Sequence, residues 1–276
     1  MQLLLVRHAE SVDNAKKLWA GVTDSGLTNH GMAQVQRLAE HIASDEVCKA
    51  SKITHVFSSD LQRARITAEG ICAALSSNVG EKVLKPTLAA NLRERDFGSL
   101  EGVRSMKDHD LTQPELKNCE DPSQTWKDCE SDTSMRARVE DFFNEHLRTI
   151  LGLESDDYDD DQVVIIVAHG LILRALWYYL FGLFLPENVA FDIHDYTAWP
   201  EDTFRPSWSN TGFLNLRIVP SGSELEGLPQ IVLRDWRMKV QASNYTDHLN
   251  GLRRTRGGIG SAAHDKKQKH IKDFFR

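Results

Sequence analysis

The chain has only four cysteines in 276 residues, Cys48, Cys72, Cys119 and Cys129. They form no Cys-x-x-Cys pair and have no histidine at zinc spacing, which argues against a disulfide framework and a structural metal. Such sparse cysteine points to a reducing compartment. Long hydrophobic runs are also missing. The apolar stretch before Arg7 is too short for a signal-peptide core. The most apolar later stretch, 168–185, holds His169 and Arg174 and is broken by Gly182, so it reads as a buried helix rather than a membrane span. There is no Gly-rich phosphate cradle with a lysine, no Ser or Cys nucleophile beside a base, and no aspartate cluster for magnesium. The acidic run 154–161 lacks the ligand spacing of a calcium loop and reads as a solvated loop. Positive charge is not in excess: the net charge of −7 gives no general reason for the body to bind nucleic acid. These absences lead us to expect a cytoplasmic protein with no membrane partner, no metal and no cofactor.

What is present alternates between strand and helix. Leu3–Val6 is a short buried-strand run that stops at Arg7 and His8. A loop follows to Leu27, then Thr28 caps a helix running to about Ser44. Ile53–Phe57 reads as a second strand, ending in Ser58-Ser59-Asp60, with Ser59 or Asp60 capping a helix over 61–75. Val83–Pro86 is a candidate third strand, Leu92–Gly98 a loop at the sheet edge, and 99–130 an irregular cover. Met135–Leu151 has the apolar spacing of an amphipathic helix. Val163–Val167 is the most strand-like run, ending in Ala168-His169-Gly170, with a helix over 171–181. The segment 183–208 is an insertion of no clear period, and such long loops are often lids or partner surfaces. Phe213–Val219 and Ile231–Trp236 read as a closing hairpin. The predicted class is α/β, a three-layer α/β/α domain over 1–250 with a mainly parallel sheet. From about Gly251 a basic tail begins, with eight Lys and Arg against two Asp.

Parallel strands end on one edge, where open α/β sheets place their chemistry. Arg7-His8, Ser58-Ser59 with Arg63 beyond, and His169 all sit at such ends, and Asn14 and Glu94 lie in adjoining loops. Guanidinium forks match phosphate oxygens. An imidazole can attack phosphorus, and a carboxylic acid can protonate a departing alkoxide. The inventory fits metal-free phosphoryl transfer through a phosphohistidine.

At this point the chain resembles a known family. Arg7-His8-Ala9-Glu10-Ser11-x-x-Asn14 resembles the signature of the histidine phosphatase superfamily, which includes the phosphoglycerate mutases. Leu27-Thr28-x-x-Gly31-x-x-Gln34, Ser58-Ser59-Asp60-Leu61-x-Arg63-Ala64-x-x-Thr67-Ala68, Leu92-x-Glu94-x-x-Phe97-Gly98-x-x-Glu101-Gly102 and Val167-Ala168-His169-Gly170 follow in family order. The resemblance implies a phosphoglycerate mutase-like fold and the following roles. His8 is the nucleophile that becomes phosphorylated. Arg7, Arg63 and His169 bind the phosphoryl group and Asn14 orients it. Glu94 is the general acid, then the base for water. His8 must then be neutral at its attacking nitrogen, with the other nitrogen donating to an acceptor the sequence does not identify. Glu94 must carry a proton in the first step, which calls for partial burial or the substrate's charge.

The acid loop is close to the mutase form, but the lysine that mutases carry after the following glycine is Ser105 here. Their downstream double-arginine segment and the tryptophan-containing part of their signature near Asn14 are also missing. A phosphatase acting on a small phosphorylated substrate or a phosphoprotein is therefore preferred over a mutase. In the tail, Gln268-Lys269-His270-Ile271-Lys272-Asp273-Phe274-Phe275 resembles the sliding-clamp (PCNA) interaction motif. That likeness implies an apolar plug of Ile271, Phe274 and Phe275 with Gln268 bonding separately, and flanking lysines suited to an acidic surface. It opens an alternative in which the chain is a clamp-associated adaptor with a secondary phosphatase body. The basic run would also serve nuclear import.

Overall fold

The computed structural model describes residues 1–79, 84–104, 126–153, 158–192, 204–220, 233 and 235–253. The first strand, β1 (Gln2–Arg7), is followed by a one-turn helix α1 (Val12–Lys16), then α2 (Asn29–Ala43), β2 (Ile53–Ser58), α3 (Gln62–Val79) and β3 (Thr87–Leu88). Next come α4 (Asp132–Phe142), a π-helical turn (Phe143–Leu147), α5 (Arg148–Ile150), β4 (Val163–Ala168), α6 (Gly170–Phe181), β5 (Val189–Phe191), β6 (Phe213–Pro220) and β7 (Trp236–Tyr245).

The strands form one seven-stranded sheet in the order β3-β2-β4-β1-β6-β7-β5. Strands β3, β2, β4 and β1 are mutually parallel; β6 runs antiparallel to both β1 and β7, and β5 is parallel to β7. β4 is buried at every position, as its unbroken aliphatic run demands of a central strand with both faces covered. The side-chain period of two divides the core. Leu3, Leu5, Val164 and Ile166 pack with α4, the π turn and α6 on one face. Leu4, Val6, Val163, Ile165 and Val167 pack with α2 and α3 on the other. This is the three-layer α/β/α arrangement with a mostly parallel sheet.

Several elements depart from the sequence-based expectations. The third strand is Thr87–Leu88, and Ala89 N–H donates to Ser58 O just beyond it; of the expected Val83–Pro86, 84–86 form no strand and Val83 lies outside the described residues. Strand β6 pairs with Trp236–Tyr245; of the expected partner Ile231–Trp236, residues 231, 232 and 234 lie outside the described residues. The loop expected between His8 and Leu27 contains the short helix α1, opened by a reciprocal capping box between Ser11 and Asn14. The helix expected over Met135–Leu151 begins at Asp132 and carries the π turn, which brings the adjacent Phe142 and Phe143 and then Leu147 into the core. The cap of α3 is shared: Leu61 N–H donates to Ser59 Oγ, and Gln62 N–H to Oδ1 of the distant Asp24. The part of the insertion that is described contains β5. Most of the cover, the centre of the insertion and the clamp-like motif lie outside the described residues.

Cys48, Cys72 and Cys129 are free thiols. Burial pushes Cys48 and Cys72 up to about 12, so both stay protonated and inert. Among the described residues no helix is long and apolar enough to cross a membrane.

Candidate active site

The register of β1, β4 and β2 lines up three strand ends. Arg7 pairs with Ala168, His8 N–H donates to Ala168 O, and Ser59 N–H donates to Val167 O. His8 and His169 thus emerge side by side, with ring centroids 4.9 Å apart. Both are buried, at 3% and 1% exposure.

The backbone beyond His8 is clamped by the second motif. Thr28 N–H donates to Glu10 O, Thr28 Oγ1 to Glu10 Oε1, and Glu10 N–H to Gln34 Oε1. Thr28 Oγ1 also accepts from Gly31 N–H and caps α2. Gly31 is required because a Cβ there would collide with the Glu10 carbonyl. From the other side, Ala9 N–H donates to Thr67 Oγ1 of α3. Held this way, the loop turns Ala9 O onto His8 Nδ1 at 2.6 Å. That carbonyl is the acceptor the sequence did not identify. Nδ1 carries the proton, which leaves the lone pair on Nε2. Burial, then Arg63 and Arg7, hold the His8 pKa well below the ordinary value, so the ring is neutral.

Arg63 is 1% exposed. Its Nε–H donates to His169 Nδ1 at 3.2 Å, its Nη1 to Thr23 O and its Nη2 to Gly21 O. With Nδ1 accepting, His169 carries its proton on Nε2 and donates it to Ser59 Oγ at 2.9 Å. Burial, Arg63, His8 and Arg7 keep His169 neutral as well. Arg7 Nη1 donates to Trp208 O, while Arg7 Nε is buried without a partner. Neither arginine makes an ion pair among the described residues. Both guanidinium groups are largely buried and donate to carbonyls or imidazole, and Glu94 acts on each through its field; such planar forks match the oxygens of a phosphoryl group.

Glu94 stands at the start of α6. Its carboxylate accepts from Leu171 N–H and Ile172 N–H, both at 3.1 Å, and from Arg95 N–H at 3.0 Å. The helix N-terminus anchors it there. Asn14 Oδ1 accepts from Ser11 N–H and Asn210 Nδ2. Its own amide donors are left to face the cleft that it lines with Arg7, His8, Arg63, Glu94 and His169. The structure therefore brings all six sequence-expected residues into one cleft of about 1040 Å³. Gln268, Ile271, Phe274 and Phe275 lie outside the described residues.

Sequence reasoning missed several contributors. Asn210 also donates to His8 O. Trp208 joins the cleft wall to β1, with its carbonyl on Arg7 and its indole N–H donating to Leu5 O at 2.9 Å. Glu101 accepts from Val22 N–H and Thr23 N–H and fixes the carbonyls that hold Arg63. Ser59 and Glu101 stood inside quoted motifs, so a signal existed for them. Trp208 ends the aperiodic segment 183–208 and Asn210 lies just beyond it, and neither had one.

Residues 3–207 match the histidine phosphatase superfamily (branch 1), and the chain belongs to that superfamily. It is 28% identical over 275 residues to a probable phosphatase of Schizosaccharomyces pombe, covering 98% of this chain and 78% of that protein. It is 32% identical over 198 residues to the 2,3-bisphosphoglycerate-dependent phosphoglycerate mutase of Bartonella henselae, covering 68% and 85%. Among solved structures it is similar to a mycobacterial glucosyl-3-phosphoglycerate phosphatase in complex with inorganic phosphate. The TM-score is 0.58, with 20% identity over 90% of this chain and 98% of that one, a likeness of fold. The protein is accordingly an enzyme of the histidine phosphatase type.

Proposed function

We propose that the protein is a metal-independent phosphomonoesterase working through a phosphohistidine at His8. In the first step His8 Nε2 attacks phosphorus, the P–O bond to the alcohol breaks, and Glu94 gives its proton to the departing oxygen. In the second step water attacks phosphorus, Glu94 takes its proton, the P–N bond breaks and phosphate leaves. Arg7, Arg63 and the amide of Asn14 hold the phosphoryl oxygens, and His169 joins them through Nε2–H when Ser59 releases it. The observation that carries this reading is the pair of largely buried arginines, neither in an ion pair among the described residues, beside a neutral His8 whose Nδ1–H is already spent on Ala9 O.

The test is phosphate release from a panel of esters. Turnover should survive chelation, a short quench should trap acid-labile phosphate on His8, and His8→Ala should lose at least about a thousandfold in kcat. Full activity in His8→Ala would sink the mechanism. Glu94→Gln should slow alkyl phosphates far more than nitrophenyl phosphate, whose leaving group needs no proton; equal losses would remove Glu94 from the acid role. An isomerisation assay on phosphoglycerate separates the mutase alternative, which the likeness to the Bartonella enzyme keeps in view. The tail motif supports a second, compatible reading as a sliding-clamp ligand. A peptide spanning 260–276 should bind clamp at tens of micromolar or tighter and lose binding when Phe274 and Phe275 become alanine.

A further inference from the structure

The turn that leads into β6 is strained. Thr211 is a β-branched residue in the left-handed region, at φ 59°, and it is fully buried. Such a conformation persists only where its surroundings over-determine it, and such residues gather beside functional sites. Thr211 stands against the end of β1. Its N–H is shared between Arg7 O and His8 O, and the next residue, Gly212, accepts at its carbonyl from Arg7 N–H. The residue before it, Asn210, gives its side-chain amide to His8 O at 3.1 Å and to Asn14 Oδ1 at 3.0 Å. With Oδ1 so committed, the donors of Asn14 are turned to the cleft. The strained turn therefore sets both the backbone of the nucleophile and the aim of Asn14.

An imidazole outside the cleft reaches this turn. His248 lies on the 3-10 turn Asp247–Leu249 that follows β7, does not line the cleft, and falls beyond the stretch 3–207 that matches the family. Its Nε2 is 3.0 Å from Thr211 Oγ1. The direction of that bond follows from the protons present. Thr211 has one hydroxyl proton and gives it to Asn210 O at 2.7 Å. Oγ1 therefore accepts from His248, which carries its proton on Nε2. Nδ1 then holds the lone pair, and it is buried without a partner. The ring stacks with His41, centroids 5.9 Å apart and planes at 25°, and with Phe213, at 6.3 Å and 15°. That packing fixes where Nε2 points. Burial, then His41, lowers the His248 pKa to about 4, so the ring is neutral near pH 7.

We propose that His248 is a positioning residue for phosphoryl transfer, acting through Thr211 and Asn210 on Asn14 and His8. Its Nε2–H holds the Thr211 hydroxyl on Asn210 O. That bond keeps Thr211 in its strained turn and Asn210 within reach of His8 O and Asn14. His248 itself touches no substrate, and no bond forms or breaks at it. The inference rests on the phosphatase reading and adds a residue to its machinery. Misaiming a phosphoryl-binding amide costs the transition state more than the bound ester. The loss therefore falls on kcat rather than on KM.

Three variants of the full chain test it. His248→Phe keeps a flat ring and removes the donor. His248→Gln loses the ring and keeps an N–H donor at the end of the side chain. Thr211→Val removes the hydroxyl between His248 and Asn210. His248→Phe and Thr211→Val should each lower kcat on nitrophenyl phosphate by about tenfold to a hundredfold, with KM changed less than about threefold. His248→Gln should recover most of that loss. Combining His248→Phe with Thr211→Val should cost less than about threefold beyond either alone, since both break one chain of bonds. Packing alone would give the opposite order, with phenylalanine tolerated and glutamine not. That order, equal losses in both His248 variants, wild-type kcat in all three, or losses that multiply in the double variant overturns the proposal. Circular dichroism checks each fold; should His248→Phe not fold, Thr211→Val against His248→Gln carries the same comparison. If the wild type releases phosphate from no ester, the phosphatase reading has failed instead. Nitrogen NMR then still decides the positioning. The side-chain amide signals of Asn14 and Asn210 should move in His248→Phe and Thr211→Val and return toward their wild-type places in His248→Gln. Signals that stay in place in all three, or that move most in His248→Gln, overturn it.

Discussion

His8 is defined less by its own side chain than by a main-chain carbonyl. Ala9 O fixes its tautomer, and a backbone acceptor is written in no side-chain identity, so the sequence showed that an acceptor was needed without naming it. Arg63 is similar: its position in the motif was legible, but its anchors are the carbonyls of Gly21 and Thr23. Lysine at 63 would bring one point charge where three donors are used at once. Arg63→Lys should therefore lower kcat/KM by about a hundredfold or more while the fold persists, as steady-state kinetics and circular dichroism would show. Ser59→Ala removes the acceptor of His169 Nε2–H. About tenfold loss in kcat is expected, with a changed tautomer signature for His169 in nitrogen NMR; an unchanged spectrum would show that Ser59 does not set the tautomer.

The start of α2 is the element on which the site loop leans, although none of its residues touches the cleft. Thr28→Ala removes both the cap of α2 and a bond to Glu10, so a loss of about 1–2 kcal/mol in urea denaturation is expected. Gly31→Ala should cost more than Thr28→Ala, since its Cβ meets backbone rather than a movable side chain. If Gly31→Ala is as stable as the wild type, α2 does not press on the loop as described. The same scale shows where sequence reading fails. Thr28 as a cap and the aliphatic run of β4 were legible because each is a local signal. β3 is two residues long and takes its place from its pairing with the end of β2. β7 does alternate, with Met238 and Val240 buried between exposed Arg237, Lys239 and Gln241, yet its polar half hides it beside the more aliphatic 231–236. The π turn has no local signature: only the tertiary demand to bury Phe142 and Phe143 together produces it.

On the scale of the whole molecule, three buried histidines among the described residues, His8, His169 and His248, are kept neutral. Burial, then His41, lowers His248 from 6.5 to about 4, and its Nε2 shares a hydrogen bond with Thr211 beside β1. His8 and His169 are shifted in the same direction. As pH falls below about 6.5 the unfolded chain takes up protons that the folded one refuses. The stability these groups contribute is present above that pH and is lost on acidification through the folded values. For His248 alone the shift corresponds to about 3 kcal/mol. Unfolding free energy should thus fall steadily from pH 7 to pH 4.5, and a rise over that interval would contradict the neutral assignment.

The pairing of β1 with β4 has a further consequence for how the enzyme comes into being. The two strands lie side by side yet are separated by about 160 residues of chain. No local hairpin can bring His8 to His169; their meeting waits on a long loop closure, which is slow. During synthesis His8 is made ahead of nearly everything that completes its site, and it stays an ordinary imidazole until β4 has left the ribosome and slid between β1 and β2. A fragment ending before β4 should accordingly have no phosphatase activity, however well its helices form.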